Sequence, residues 1–275
     1  MQIDINKIKS IIKNADAILI TAGAGIGVDS GLSDYNSIED FWRAYPALKK
    51  ENFSYSEIVS HKWFVSKPSF VWAFYGQRLN LYRKTVPHQG FKLLLDLVKA
   101  KNDNYFIYTS NVDGQFQKAG FDENKILEIH GTIHYLQCVA DCHDSVWSSD
   151  DENVIINKDT FEAINVPKCP SCGSVARPNI FMFADWHWDD SRTYFQEQKF
   201  NTWFENIQIT SQKMVIIEIG AGTTIPTVRK KGNLISNSYK NATLIRINTD
   251  EYQVNNEYSY SVPLTGLCGL EKLLF

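Results

Sequence analysis

No hydrophobic run in the 275-residue chain approaches the ~20 residues needed to span a bilayer. The charged start MQIDINKIKS lacks the apolar centre of a secretory signal. A cytoplasmic location is therefore the expectation. Charge of one sign is also missing: 28 Lys and Arg against 31 Asp and Glu leave a formal −3. That balance excludes a broad basic face for nucleic acid or anionic lipid, with Arg229, Lys230 and Lys231 only a local patch. There is no internal repeat and no linker long enough to separate two independent domains. What is present is 44% hydrophobic residues over a length that can bury a full core, which rules out disordered, collagen-like and miniprotein classes. Cysteine is scarce and unevenly placed. Four of the five lie within positions 138 to 172, and Cys268 stands alone.

Ala17 to Thr21 is a short β-branched run that stops at glycines, as a buried parallel strand does before a turn. Asn104 to Ser110, Met214 to Ile219 and Ala242 to Ile247 repeat the pattern, with helical periodicity between them. The expected fold is α/β, a doubly wound parallel sheet (Rossmann-like) with a smaller lobe made of a helical insertion and a zinc-binding module. Helices are expected over Pro68 to Lys84 and from His88 to about Lys101. The aromatic residues from Phe41 to Tyr82 read as the core of the insertion rather than a ligand cage. The large lobe is assigned residues 1–37, 87–133 and 179–275, and the small lobe 38–86 (helical) and 134–178 (zinc module).

Cys138 and Cys142 are separated by three residues, and Cys169 and Cys172 by two, with 26 residues between the pairs. Two such pairs can surround one tetrahedral Zn²⁺, whose binding energy replaces the apolar core that this polar, acidic segment is expected to lack. A closed set of four thiolates makes the zinc structural. The alternatives are a redox dithiol or unconnected thiols; disulfides do not suit a chain with no secretory signal. His134 and His143 flank the first pair as bystanders, and Cys268 reads as a small buried residue near the last helix.

The first strand runs into Gly23, Ala24 and Gly25, where the backbone can approach a pyrophosphate and a following helix can offer its N-terminal N–H groups. The spacing departs from G-x-G-x-x-G, since Val28 holds the third glycine position, and no acidic ribose ligand ends the second strand. Other strand ends carry polar groups too: Ser110, Asn111 and Asp113; His130; Gly222, Thr223 and Thr224; Asn248. One ligand crossing the edge of the sheet would explain all five.

Taken in order, Gly23 to Gly25 with Ser30 to Asp34, Asn111 to Gly114, His130 with Gly131, the cysteine pairs, Arg177 with Pro178, Gly222 to Thr224 and Asn248 resemble the sirtuin family over nearly the whole chain. The resemblance implies NAD⁺ as a consumed co-substrate, structural Zn²⁺ on Cys138, Cys142, Cys169 and Cys172, and an acylated protein or peptide as partner. The implied activity is protein-lysine deacylation giving nicotinamide and O-acyl-ADP-ribose. His130 would be the general base, Asn111 would hold the ribose and a water, and Asp113 would engage the nicotinamide carboxamide. An imidazole suits the first role because its ordinary pKa of about 6.5 lies near working pH. Gly23, Ala24, Gly25, Asp34, Tyr35, Ser110, Gly222, Thr223, Thr224, Asn248 and Cys268 would complete the cofactor site. Phe181, Met182, Phe183, Ala184 and Asp185 would form the strip along which the peptide lies.

The chain also departs from that family. Ser33, Asp34, Tyr35 and Asn36 stand where proline, aspartate, phenylalanine and arginine are usual, so Asn36 removes a cation from the cofactor loop; Arg78, Arg83 or Lys84 are candidates to compensate. Gly27 replaces a serine, Ser110 a glutamine and Phe116 a histidine, while Phe183, Ala184 and Asp185 replace phenylalanine, glycine and glutamate before the bulky Trp186, His187 and Trp188. NAD⁺ hydrolysis, protein ADP-ribosylation and an idle NAD⁺ or ADP-ribose binding module are the competing readings.

Overall fold

The computed structural model describes residues 4–34, 37–142, 146–254, 256 and 258–275. The chain opens with α1 (Ile5–Lys13), β1 (Ala17–Ala22) and a 3-10 segment (Ala24–Ser30), then α2 (Ile38–Ala44), α3 (Pro46–Lys50), α4 (Tyr55–Ile58), α5 (Lys62–Ser66) and α6 (Pro68–Lys84). Next come α7 (Gln89–Lys99), β2 (Tyr105–Thr109), α8 (Gln115–Lys118) and β3 (Ile126–Glu128). Five strands follow: β4 (Gly131–Cys138), β5 (Trp147–Ser148), β6 (Ile156–Asn157), β7 (Glu162–Ala163) and β8 (Ala176–Ile180). The chain closes with α9 (Ser191–Ile209), β9 (Met214–Ile219), α10 (Thr227–Ser238), β10 (Ala242–Ile247), β11 (Ser259–Val262) and α11 (Gly266–Leu274).

The main sheet is parallel throughout, in the order β3-β2-β1-β9-β10-β11. Every residue of β1, β2 and β9 is buried, as their continuous apolar sequences require of strands covered on both faces. One face packs Ile18, Ile20, Ile107 and Ile217 with residues of α1, α7 and α11; the other packs Leu19, Phe106 and Ile216 with residues of α9 and α10. Strand order reverses direction between β1 and β9, the point where open α/β sheets place ligands.

A third core joins α2 to α6 with β4, β7 and β8. It buries Phe41, Phe64, Trp72 and Phe74 beside Val154, Phe161 and Ala163. The segment around the cysteines was expected to lack core residues of its own; it instead contributes apolar side chains to a core shared with α6. Trp72 fastens the two parts by donating its indole N–H to the carbonyl of Ala176 at 2.8 Å.

Local signals set the ends of the elements. Pro68 occupies the first turn of α6, and His88 caps α7 by accepting the N–H of Gly90 at 3.0 Å. The expected α-helix after the glycine turn is a correction. The turn continues as seven residues of 3-10 structure that end at Gly31 in the left-handed region, so no long helix dipole points at the glycines.

The glycines themselves are explained by a crossing of two loops. Gly25 donates its N–H to the carbonyl of Gly220 at 3.1 Å, and Gly23 donates to that of Ile219 at 3.0 Å. Gly220 has φ +59°, and a Cβ on it would lie 2.4 Å from the backbone of Gly25. Gly220→Ala combines a left-handed backbone with an overpacked contact and is expected to cost about 3 kcal/mol. Urea unfolding of the variant against the wild type measures the loss.

Candidate active site

The loops at the carboxyl ends of β1, β2, β9 and β10 enclose a cleft of about 820 Å³. Gly23, Ala24, Gly25, Asp34, Ser110, Asn111, Asp113, His130, Gly222, Thr223, Thr224 and Asn248 all line it, as do Phe181, Met182 and Phe183. Ala184 and Asp185 do not line it. Cys268 is exposed rather than buried and is likewise absent from the lining. Its neighbours Thr265 and Gly266, at the start of α11, reach the cleft instead. Tyr35 and Asn36 lie outside the described residues.

Each loop is tied by contacts within the chain. Thr109 donates its hydroxyl to the carbonyl of Ala22 at 2.9 Å and accepts the N–H of Asn111 at 3.0 Å. Asn111 in turn donates to the carbonyl of Gly23 at 3.1 Å. Asn248 accepts the N–H groups of Asp250 and Glu251, each at 3.0 Å, and donates to the carbonyl of Ala221 at 3.1 Å. Arg229 of α10 bridges the carbonyls of Ala221 and Glu251 at 2.8 and 2.6 Å. Below them, the buried Arg246–Glu218 pair joins neighbouring strands, and Arg246 also donates to the carbonyl of Gln253.

Asp113 is buried and accepts the N–H of Gln115 at 3.0 Å. Burial, with the charge of Glu128 adding to it, pushes its carboxyl up to about 6 despite the Gln115 hydrogen bond and the Arg78 charge. Burial lowers the pKa of His130, so its imidazole is neutral at neutral pH. The ring Nε2 lies 3.2 Å from the hydroxyl of Thr227. A neutral imidazole facing a polar cleft is a competent proton acceptor.

The other wall comes from the insertion. Tyr55, Tyr75 and Tyr82 of the aromatic set line the cleft together with Arg78; Tyr75 and Tyr82 also belong to the core that buries Phe41, Phe64 and Phe74. Arg78 is the only Arg or Lys among the described lining residues. It donates to the hydroxyl of Tyr82, and its guanidinium lies 5.4 Å from the ring centre of Phe74. A basic residue on the apolar spacing of α6 was the available sequence signal. Glu251 and the start of α11 also line the cleft, and no glycine motif in the sequence marks either.

Asp185 makes a two-point pair with Arg177, both side chains fully buried. Burial works to raise its carboxyl, and the Arg177 hydrogen bonds and charge outweigh that, holding it below the usual range. The strip's amides are engaged as well: Phe181 bonds His130, Phe183 bonds Val59, and Met182 bonds Asp185. Away from the cleft, Cys138 and Cys172 have sulfurs 3.6 Å apart, as do Cys142 and Cys169, and all four lie within 4.8 Å of one another. Tetrahedral Zn–S bonds of about 2.3 Å need sulfurs about 3.8 Å apart, so the residues fit that ion. His143 lies outside the described residues, and His134 points elsewhere, donating to the carbonyl of Asp113 at 3.0 Å.

These features define a dinucleotide-type cleft in a doubly wound sheet with a cysteine-clustered insertion. The family model described as "Sir2 family" matches residues 23–225, and the chain belongs to that family. An NAD-dependent protein deacetylase of Clostridium perfringens is 32% identical over 186 residues, covering 66% of this chain and 67% of that protein. A probable bifunctional ADP-ribose hydrolase/ADP-ribosyltransferase of Fusarium oxysporum f. sp. cubense is 29% identical over 249 residues, 86% of this chain and 41% of that protein. The chain thus spans well under half of the second relative's length. Among solved structures, a Sir2 homolog–NAD complex superposes with a TM-score of 0.69 at 17% identity, covering 98% of this chain and 92% of that one. Sir2 bound to acetylated peptide gives 0.65 at 19%, covering 100% and 98%.

Two outcomes follow. Purified protein should carry about one zinc, and Cys169→Ser should lose it together with hydrogen-exchange protection in β4 and β8, read by metal analysis and mass spectrometry. Asp113 is protonated in both folded and unfolded states well below pH 4 and ionised in both well above pH 6, so its burial penalty grows between those values. Asp113→Asn should therefore gain stability relative to the wild type as pH rises from 4 to 7, by about 2–3 kcal/mol in urea unfolding.

Proposed function

We propose that this protein is an NAD⁺-dependent protein-lysine deacylase. The observation that carries the reading is the convergence of His130, Asn111 and Asp113 on one cleft that also receives the glycine loops and Phe181 to Phe183. The Clostridium perfringens relative's name supports it. NAD⁺ bound there supplies an activated ADP-ribosyl group whose nicotinamide leaves as the acyl oxygen attacks. His130 takes a proton from a ribose hydroxyl, Asn111 fixes the ribose, and Asp113 holds the carboxamide of the leaving group. Thr223, Thr224 and Asn248 hold the far end of the dinucleotide.

The acyl group is read from the wall opposite the glycine loops. Tyr75 and Arg78 come from α6, and Tyr75 shares its core with Ile180 and Met182 of the substrate side. A guanidinium among tyrosines favours an acyl chain that ends in a carboxylate. In this reading Arg78 serves the acyl group and does not replace the cation missing at Asn36.

The long match to the Fusarium relative supports a second reading, transfer of ADP-ribose to a protein acceptor. One assay separates them. Nicotinamide release should need an acyl-lysine peptide, proceed at least tenfold better with a succinyl than an acetyl peptide, and lose that preference in Arg78→Met. Release without peptide, or label from NAD⁺ appearing on protein, would favour hydrolysis or transfer. The acid limb of kcat/KM should fall with a midpoint below the ordinary imidazole value, as the lowered His130 pKa requires, and His130→Ala should abolish turnover.

A further inference from the structure

We propose that Trp186 is a specificity-determining residue that selects substrate segments with an apolar side chain next to the acyl-lysine. The inference rests on the deacylase reading and names the segment that reading would accept. Its basis is a turn built to present one side chain. The Asp185 carboxylate accepts the N–H of Met182 on one oxygen and that of His187 on the other, each at 3.2 Å. It thereby closes the four residues from Phe183 to Trp186 into a tight turn. Arg177 clamps the same two oxygens from the interior, and neither side chain is exposed. Ala184 takes the left-handed backbone, φ +50°, that the turn demands.

The residue after Trp186 is pinned as firmly. His187 donates from its main chain to Asp185, its carbonyl accepts from Gln137 at 2.6 Å, and its ring stacks 4.4 Å from that of His61. Between these fixed neighbours Trp186 is 94% exposed, and among the described residues its indole makes no hydrogen bond or ring contact. Exposing a tryptophan so fully forgoes a large burial gain, while buried polar contacts hold its backbone in place. Phe183 sits on the same turn, is 42% exposed and lines the cleft; Phe181, 47% exposed, lines it too. Phe183, three residues before Trp186 on that turn, thus carries apolar surface from the turn to the cleft. A chain whose acyl-lysine enters the cleft leaves it across Phe183 and Trp186, where an aliphatic or aromatic neighbour is desolvated and a charged one is not matched.

The test uses two labelled decapeptides with the same acyl-lysine, flanked by Leu in one and Ser in the other, binding measured by fluorescence anisotropy without NAD⁺. Wild type should bind the Leu peptide about tenfold more tightly. Trp186→Ala should reduce the preference below about twofold, and Trp186→Phe should keep most of it. An exposed site leaves thermal stability and the KM for NAD⁺ unchanged in both variants. Equal binding of the two peptides by wild type, or an undiminished preference in Trp186→Ala, overturns the proposal while turnover of both peptides preserves the deacylase reading. Binding of neither peptide by any variant overturns both.

Discussion

The crossing of the β1 and β9 loops is the contact on which the rest of the site depends. Gly23 and Gly25 touch the backbone around Gly220 so closely that none of the three positions has room for a Cβ. That contact forms where the strand order reverses, so it fixes how near the two halves of the cleft come. The glycines thus serve the protein's own backbone first. Their approach to a ligand is a consequence, since removing side chains from one crossing also clears the floor of the cleft.

Outward from that point the site is held by polar contacts made within the chain. Thr109 and Asn111 tie β2 to β1, Asn248 and Arg229 tie β10 to β9, and Arg246 with Glu218 supports that second pair from inside the sheet. Breaking one member of such a buried pair leaves an uncompensated charge, which is why they act together as a frame. A preformed frame limits the ordering cost that a flexible dinucleotide would otherwise impose on the protein.

The sheet was legible because continuous apolar strands ending in glycine or polar residues have few other meanings, and the cysteine pairs because their spacing fits one metal geometry. The site residues at strand ends were legible for the same reason: Asn111, Asp113 and His130 follow the strands directly. Tyr75 and Tyr82 were not, because a helix that builds a core and lines a cleft shows a single aromatic periodicity for both; Arg78 stood out only as one of three candidate cations, and the structure alone puts it, rather than Arg83 or Lys84, in the cleft lining. Cys268 failed differently. A cysteine reads as buried on average, and only the packing of α11, with Gly266, Gly269 and Leu270 inward, shows that position 268 faces out. The 3-10 segment after β1 was hidden because glycine-rich sequence permits either helix.

The charge of the cleft separates its two ends. Gly23 to Gly25 and Gly220 to Thr224 present backbone and hydroxyl groups, and the described lining holds one guanidinium, on the insertion side. A diphosphate at the glycine end would then meet uncharged backbone, with the N–H groups of Gly23, Gly25 and Gly220 already bonded within the chain, whereas an acidic group at the α6 end would meet a full positive charge among apolar and phenolic surfaces. In a buried setting the second interaction is the stronger and the more selective, because a charge-assisted bond to a guanidinium exceeds a neutral contact with backbone dipoles. The same burial that raises Asp113 makes it sensitive to Arg78, which opposes the rise. In the proposed reading, an acyl carboxylate that screens Arg78 would raise Asp113 further and favour the protonated carboxyl that can donate as well as accept toward a carboxamide, so that acyl and nicotinamide binding would be linked.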